Sequence, residues 1–119
     1  MNILREIQKA VEKYEILLQE NQEEAKERKN EYLKCIEAAK QDLNECIDRN
    51  AKEYQIWSER LVEVFEKKDD KLYLKIEKKI DMAVISSYLN RISIDLFKAG
   101  LLQERLLKIE QRFIQYSIL

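Results

Sequence analysis

The chain has no proline, no histidine and a single glycine, Gly100, in 119 residues. Without proline, no position lacks a backbone donor or breaks a helix from within. With one glycine, few positions accept a left-handed turn cheaply. Long helices packed side by side are what these absences leave open. They also remove most of the equipment of an enzyme. A serine or cysteine nucleophile most often needs an adjacent base, commonly histidine. A loop that cradles phosphate needs several glycines, so that the backbone can approach the ligand. The longest apolar run is a few residues, far short of the ~20 that a membrane-spanning helix requires. The opening residues, Met1-Asn2-Ile3-Leu4-Arg5-Glu6, lack a basic block ahead of a hydrophobic one, so no signal peptide is expected.

What is present is amphipathic. Charged residues make up 38% of the chain and apolar ones 45%, a folded rather than a disordered composition. Lysine plus arginine is 22 against 23 acids, a net charge of −1. A nucleic-acid partner would need a basic stripe to neutralise phosphates. The one basic cluster, Lys67, Lys68 and Lys71, is interleaved with Glu66, Asp69 and Asp70, so no such partner is expected. Cys35 and Cys46 are eleven residues apart on what reads as one helix. At ~1.5 Å per residue they lie ~16 Å apart, too far for an intrachain disulfide. Two reduced, half-buried thiols in a cytoplasmic protein are the expectation. Zinc would need closer spacing and more ligands.

Apolar residues recur every three or four positions. A first seam runs through Tyr32, Ile36, Ala39, Leu43, Cys46, Asn50, Tyr54, Trp57, Leu61, Val64 and Phe65. Asn50 either fixes register as a buried amide or turns out to solvent. The seam ends at the polar run Glu66 to Lys71, where Asp69 or Asp70 can cap the next helix. A second seam runs through Ile76, Ile80, Val84, Tyr88, Ile92, Leu96, Ala99, Leu102, Leu106, Ile109, Phe113 and Tyr116. Its periodicity carries through Gly100, so a continuous helix is expected there. The pattern predicts a single all-α domain, a long antiparallel coiled-coil helical hairpin. Helix one spans 1–67 with a polar stretch at 20–31, the turn is 68–71, and helix two spans 72–118. A turn centred near Asp70 would set Trp57 against Ala83 and Leu43 against Phe97. A further stripe, Ile3, Ile7, Val11, Tyr14 and Leu18, either folds back as a third helix or serves another protein or a second copy of this chain.

Candidate sites follow from the same pattern. Acid pairs one turn apart, Glu23–Glu27 and Glu59–Glu63, lack the Glu-x-x-His companions of a carboxylate metal site and read as a solvated face. No catalytic residue, metal or cofactor is expected. Tyr54, Trp57 and Phe65 can form the thickest part of the core beside the turn. Alternatively they anchor a protein partner, with Arg60 at the rim, since aromatics and arginine dominate binding hot spots.

The segment Tyr54-Gln55-Ile56-Trp57, followed by Val64-Phe65-Glu66 and then Leu72-Tyr73-Leu74, resembles the type III secretion and flagellar export stalk proteins of the YscO/FliJ kind over residues 50–80. The resemblance implies an antiparallel coiled-coil hairpin in the bacterial cytoplasm. It implies contacts with a hexameric export ATPase and an export gate, and for some members with secretion chaperones. The helix ends would enter the ATPase ring. The surface near the turn, with Tyr54, Trp57 and Phe65, would face other partners. The arginine usual after the tryptophan is Ser58 here. A rival resemblance is to the WXG-type secreted hairpins, through the eight-residue spacing of Trp57 and Phe65. The glycine that makes the turn in that family is Glu59 here, inside the seam.

Overall fold

The computed structural model of the chain describes residues 2–116, and its regular structure there is entirely helical. Four helices follow in order: α1 (Ile3–Glu20), α2 (Gln22–Glu27), α3 (Lys29–Phe65) and α4 (Leu72–Gln115). The all-α reading therefore holds. α4 runs unbroken through Gly100. The expected end of helix two at residue 118 lies outside the described residues.

The helix expected over 1–67 is three helices. Asn2 starts α1, its side chain accepting from the Leu4 N–H at 3.1 Å. Asn21 ends α1, giving its backbone N–H to the Leu17 carbonyl at 2.9 Å. The same residue begins α2. Its Oδ1 accepts from the Glu24 N–H and its Nδ2 donates to the Glu24 carboxylate, both at 3.2 Å. That reciprocal arrangement is close to a capping box. α2 closes at Arg28, whose guanidinium bridges Glu24 and Glu31 on either side of the junction.

The chain divides into two compact units, to each of which α3 and α4 contribute. The first comprises residues up to Ile47 and those from Lys98 on; the second is Asp48–Phe97. In the first unit α1 is a third helix over the core. Leu4, Ile7, Val11, Tyr14 and Leu18 are buried with Ile36 and Leu43 of α3 and with Leu102, Leu106, Ile109 and Phe113 of α4. α1 and α4 run in the same direction here. Glu15 pairs with Arg105, and the Leu18 carbonyl accepts from Arg112 at 3.4 Å. α3 runs against α4, with Lys40 on Glu110 at 3.0 Å and Asn44 accepting from Gln103 at 3.1 Å. Tyr14, Tyr32 and Phe113 form an aromatic triangle with centroids 5.5–6.3 Å apart. Burial pushes the Tyr14 phenol up to about 12, helped by the neighbouring Cys35 thiol. Burial also raises Tyr32, as does its hydrogen bond to Glu24.

Cys46 is buried in this core and Cys35 is exposed, so the two thiols are not alike as expected. One stripe of α3 faces inward, and Cys35 lies one position off it, beside buried Ile36.

In the second unit α3 and α4 form a two-helix arm, and its described buried residues are Val64, Ile85 and Ile92. The connection is wider than the expected four residues, running from Glu66 to Lys71. Neither Asp69 nor Asp70 stands at the cap of α4. Lys71 does, its carbonyl accepting from the Lys75 N–H at 3.1 Å. Asp69 instead lies 3.9 Å from Lys78, which also donates to the Lys67 carbonyl at 3.2 Å. With Lys78 at the end of α3, the register is displaced from the one a tight turn would set. Trp57 faces Tyr88 rather than Ala83. In the first unit, Leu43 is buried beside the Asn44–Gln103 bond; Phe97, its expected neighbour, is 68% exposed.

The inward face of α4 differs too. Ile76, Ile80, Val84 and Tyr88, all expected in the seam, are exposed. Leu74, Lys78, Met82, Ile85, Leu89 and Ile92 take that face instead. This part of α4 is apolar on almost every side, so periodicity offers two stripes. The wide connection lets the second turn inward.

Candidate interaction surface

The four residues singled out by sequence all lie on the arm. Trp57 is half-buried on α3, between the Tyr88 ring, centroid to centroid 4.8 Å, and the Arg60 guanidinium, 4.6 Å from its ring centre. Arg60 reaches back one turn to Trp57 because residues three apart share a helix face. A cation stacked on indole stabilises a partly exposed ring by ~0.5–1 kcal/mol. Trp57 is thus held in one orientation with part of its surface left to solvent. Tyr54, one turn earlier, is 40% exposed.

Phe65, the last residue of α3, is 63% exposed. The Lys78 ammonium sits 5.2 Å from its ring centre. Beside it a cleft of about 320 Å³ opens, lined by Phe65, Leu72, Ile76 and Met82 with lysines from the first turns of α4. The structure thus brings Trp57 and Arg60 into contact and places Phe65 two turns further on, at the connection. The thick core expected from these aromatics is absent here. It lies in the first unit, where a third helix supplies the apolar surface that a two-helix arm lacks.

Two residues completing this surface, Tyr88 and Lys78, escape the sequence reading. Tyr88 is legible as an aromatic on α4, but its pairing with Trp57 depends on the register. Lys78 looks like one more surface charge among the lysines of this stretch. Only its place against Phe65, Asp69 and the end of α3 gives it a role.

Among the described residues no group of three His, Cys, Asp or Glu side chains could hold a metal ion. No described helix is long and apolar enough to cross a membrane. Comparison with protein-family models, with curated proteins and with solved structures gave no significant match.

Proposed function

We propose that this chain is a non-enzymatic interaction module that works through helix–helix contacts, in the form of a stalk of a type III export apparatus in the bacterial cytoplasm. Its partners in this reading are the hexameric export ATPase and the export gate, with secretion chaperones as further clients. The observation that carries it is the arm surface. Trp57 is braced by Tyr88 and Arg60 yet partly open, and Phe65 is exposed at the connection. Rigid, half-open aromatics with an arginine beside them are the makings of a protein-binding hot spot. The Tyr-x-x-Trp and Val-Phe-Glu pattern at Tyr54, Trp57 and Val64–Glu66 supports the stalk form, in which paired helices act as a coiled coil.

The test is co-elution of the purified chain with a P-loop hexameric ATPase from the same cell, together with stimulation of its hydrolysis. Absence of both would exclude the stalk form. The WXG-type alternative is disfavoured by Trp57 itself, which lies within α3, well before the connection at Glu66–Lys71. A self-assembling scaffold is favoured by a separate observation, the outward face of α4.

A further inference from the structure

The arm leaves one face of α4 without a partner, and that face carries a regular seam. Tyr73, Ile76, Ile80, Ala83, Ser87, Asn90, Ile94 and Phe97 follow one another at steps of three and four, and every one of them is exposed. Tyr73, Ile80 and Phe97 stand at 57%, 57% and 68% exposure. Steps of three and four define a stripe made to meet another helix, and one of ~36 Å at 1.5 Å per residue is long for a surface left to water. Between the apolar ends, the small side chains of Ala83 and Ser87 help line an open groove of about 620 Å³, flanked by Tyr54.

We infer that this face is the self-association surface of the protein, pairing α4 antiparallel with α4 of a second copy. In such a two-fold interface each contact of one residue with a second on the partner is repeated by symmetry, as that second with the partner's copy of the first. Antiparallel pairing about the seam's midpoint sets Tyr73 on the partner's Phe97 and Ile76 on the partner's Ile94. Ile80 then meets the partner's Asn90. At the centre Ala83 meets the partner's Ser87, where small side chains let the two helices approach closely.

Charge agrees with the same arrangement. Glu77 and Arg91 border the seam on one side, both exposed, and neither is in an ion pair among the described residues. The antiparallel register places Glu77 beside the partner's Arg91, twice by symmetry. On the other border Lys79 meets the partner's serines, and no like charges face each other. A parallel pairing sets Lys79 against the partner's Val84 and leaves Glu77 and Arg91 without opposite charges.

Sedimentation equilibrium of the full-length chain tests the inference. We expect a particle of twice the 14.4 kDa chain mass. The E77R variant and the R91E variant should each weaken association about tenfold, since both symmetric pairs turn repulsive. The E77R/R91E double variant should restore it. Circular dichroism checks that these surface variants stay folded. Orientation is read by oxidising variants in a C35S/C46S background. Y73C/F97C should cross-link between chains, because the two positions are too far apart on one helix to join within a chain. Y73C alone should not cross-link. A chain that stays monomeric at ~100 µM, with this face free for a different protein, overturns the inference. So does cross-linking by Y73C alone, or a double charge variant no stronger than the singles. ATPase binding is read independently, so failure of the stalk reading leaves these outcomes intact.

Discussion

Trp57 and Tyr88 stack across the two helices of the arm, ring centroids 4.8 Å apart and planes tilted by 32°. In a unit with few buried residues, this pair and the Arg60 guanidinium on its other side make a local fastening. Trp57 is half-buried, so W57A should cost about 1–2 kcal/mol, less than the ~3–5 of a core tryptophan. Urea denaturation of W57A, Y88A and the double variant should show a coupling of ~0.5–1.5 kcal/mol. If Trp57 anchors a partner, W57A should abolish binding at temperatures where the fold is intact. A cost above ~4 kcal/mol would mark it as core instead.

The two units predict opposite outcomes for the same substitution. Phe113 is fully buried against Tyr14, Tyr32 and Tyr116. F113A should therefore lose ~3–5 kcal/mol through lost transfer energy and the cavity left behind. Phe65 is largely exposed with one lysine over its ring, and F65A should cost less than ~1 kcal/mol. Equal losses in thermal or urea unfolding would mean that Phe65 is more enclosed than the structure shows.

Asn21 serves two helices at once, closing α1 with its backbone N–H and opening α2 with its side chain. N21A removes the side-chain half and should cost about 1 kcal/mol. N21D keeps the acceptor but sets a carboxylate where the amide donates to Glu24, so it should recover only part of the N21A loss. Hydrogen exchange should report the N21A loss first at the amide of Glu24, which the cap protects.

How far the sequence reveals this molecule depends on how many apolar stripes a helix carries. α1 and the first half of α3 each carry one, and Ile7, Val11, Leu18, Ile36 and Leu43 are buried as their spacing requires. α4 from Leu72 to Phe97 carries two. Periodicity alone cannot choose between Ile76-Ile80-Val84 and Leu74-Ile85-Leu89. The choice was made by the length of the connection and by Lys78, which is indistinguishable in sequence from its neighbours. The break at Asn21 was legible, since Asn21 and Glu24 have the spacing of a capping box, but the surrounding polar run hides it. Among the candidate residues, Trp57 and Arg60 share a face by spacing alone. Tyr88 joins them only through the register.

Gly100 offers a test of a helix position that no contact decides. It lies in the middle of α4, its φ is not positive, and a Cβ added there would meet nothing within 4 Å. G100A should therefore stabilise the protein by ~0.5–1 kcal/mol, chiefly by reducing the freedom of the unfolded chain. A higher melting temperature with an unchanged urea m-value is the expected signature. Destabilisation would show that something covers this position in solution, such as a partner or a second copy.

Alkaline pH should weaken the aromatic core. The Tyr14 phenol stands at about 12 in the fold, against an ordinary 10.0. The unfolded chain therefore begins to lose this proton near pH 10 while the folded chain still holds it. A raised folded value gives stability that is complete below pH 10 and drains away as pH rises towards 12. Two units of difference set an upper bound of about 2–3 kcal/mol, shared with the neighbouring Cys35 and Tyr32. Tyr32, raised in the same direction, adds to the slope. Unfolding free energies measured from pH 8 to pH 12 should fall over the upper half of that range. Y14F, which keeps the ring in its triangle and removes the titrating group, should flatten much of the fall. An unchanged profile in Y14F would mean that Tyr14 ionises freely and that its burial in the core is wrong.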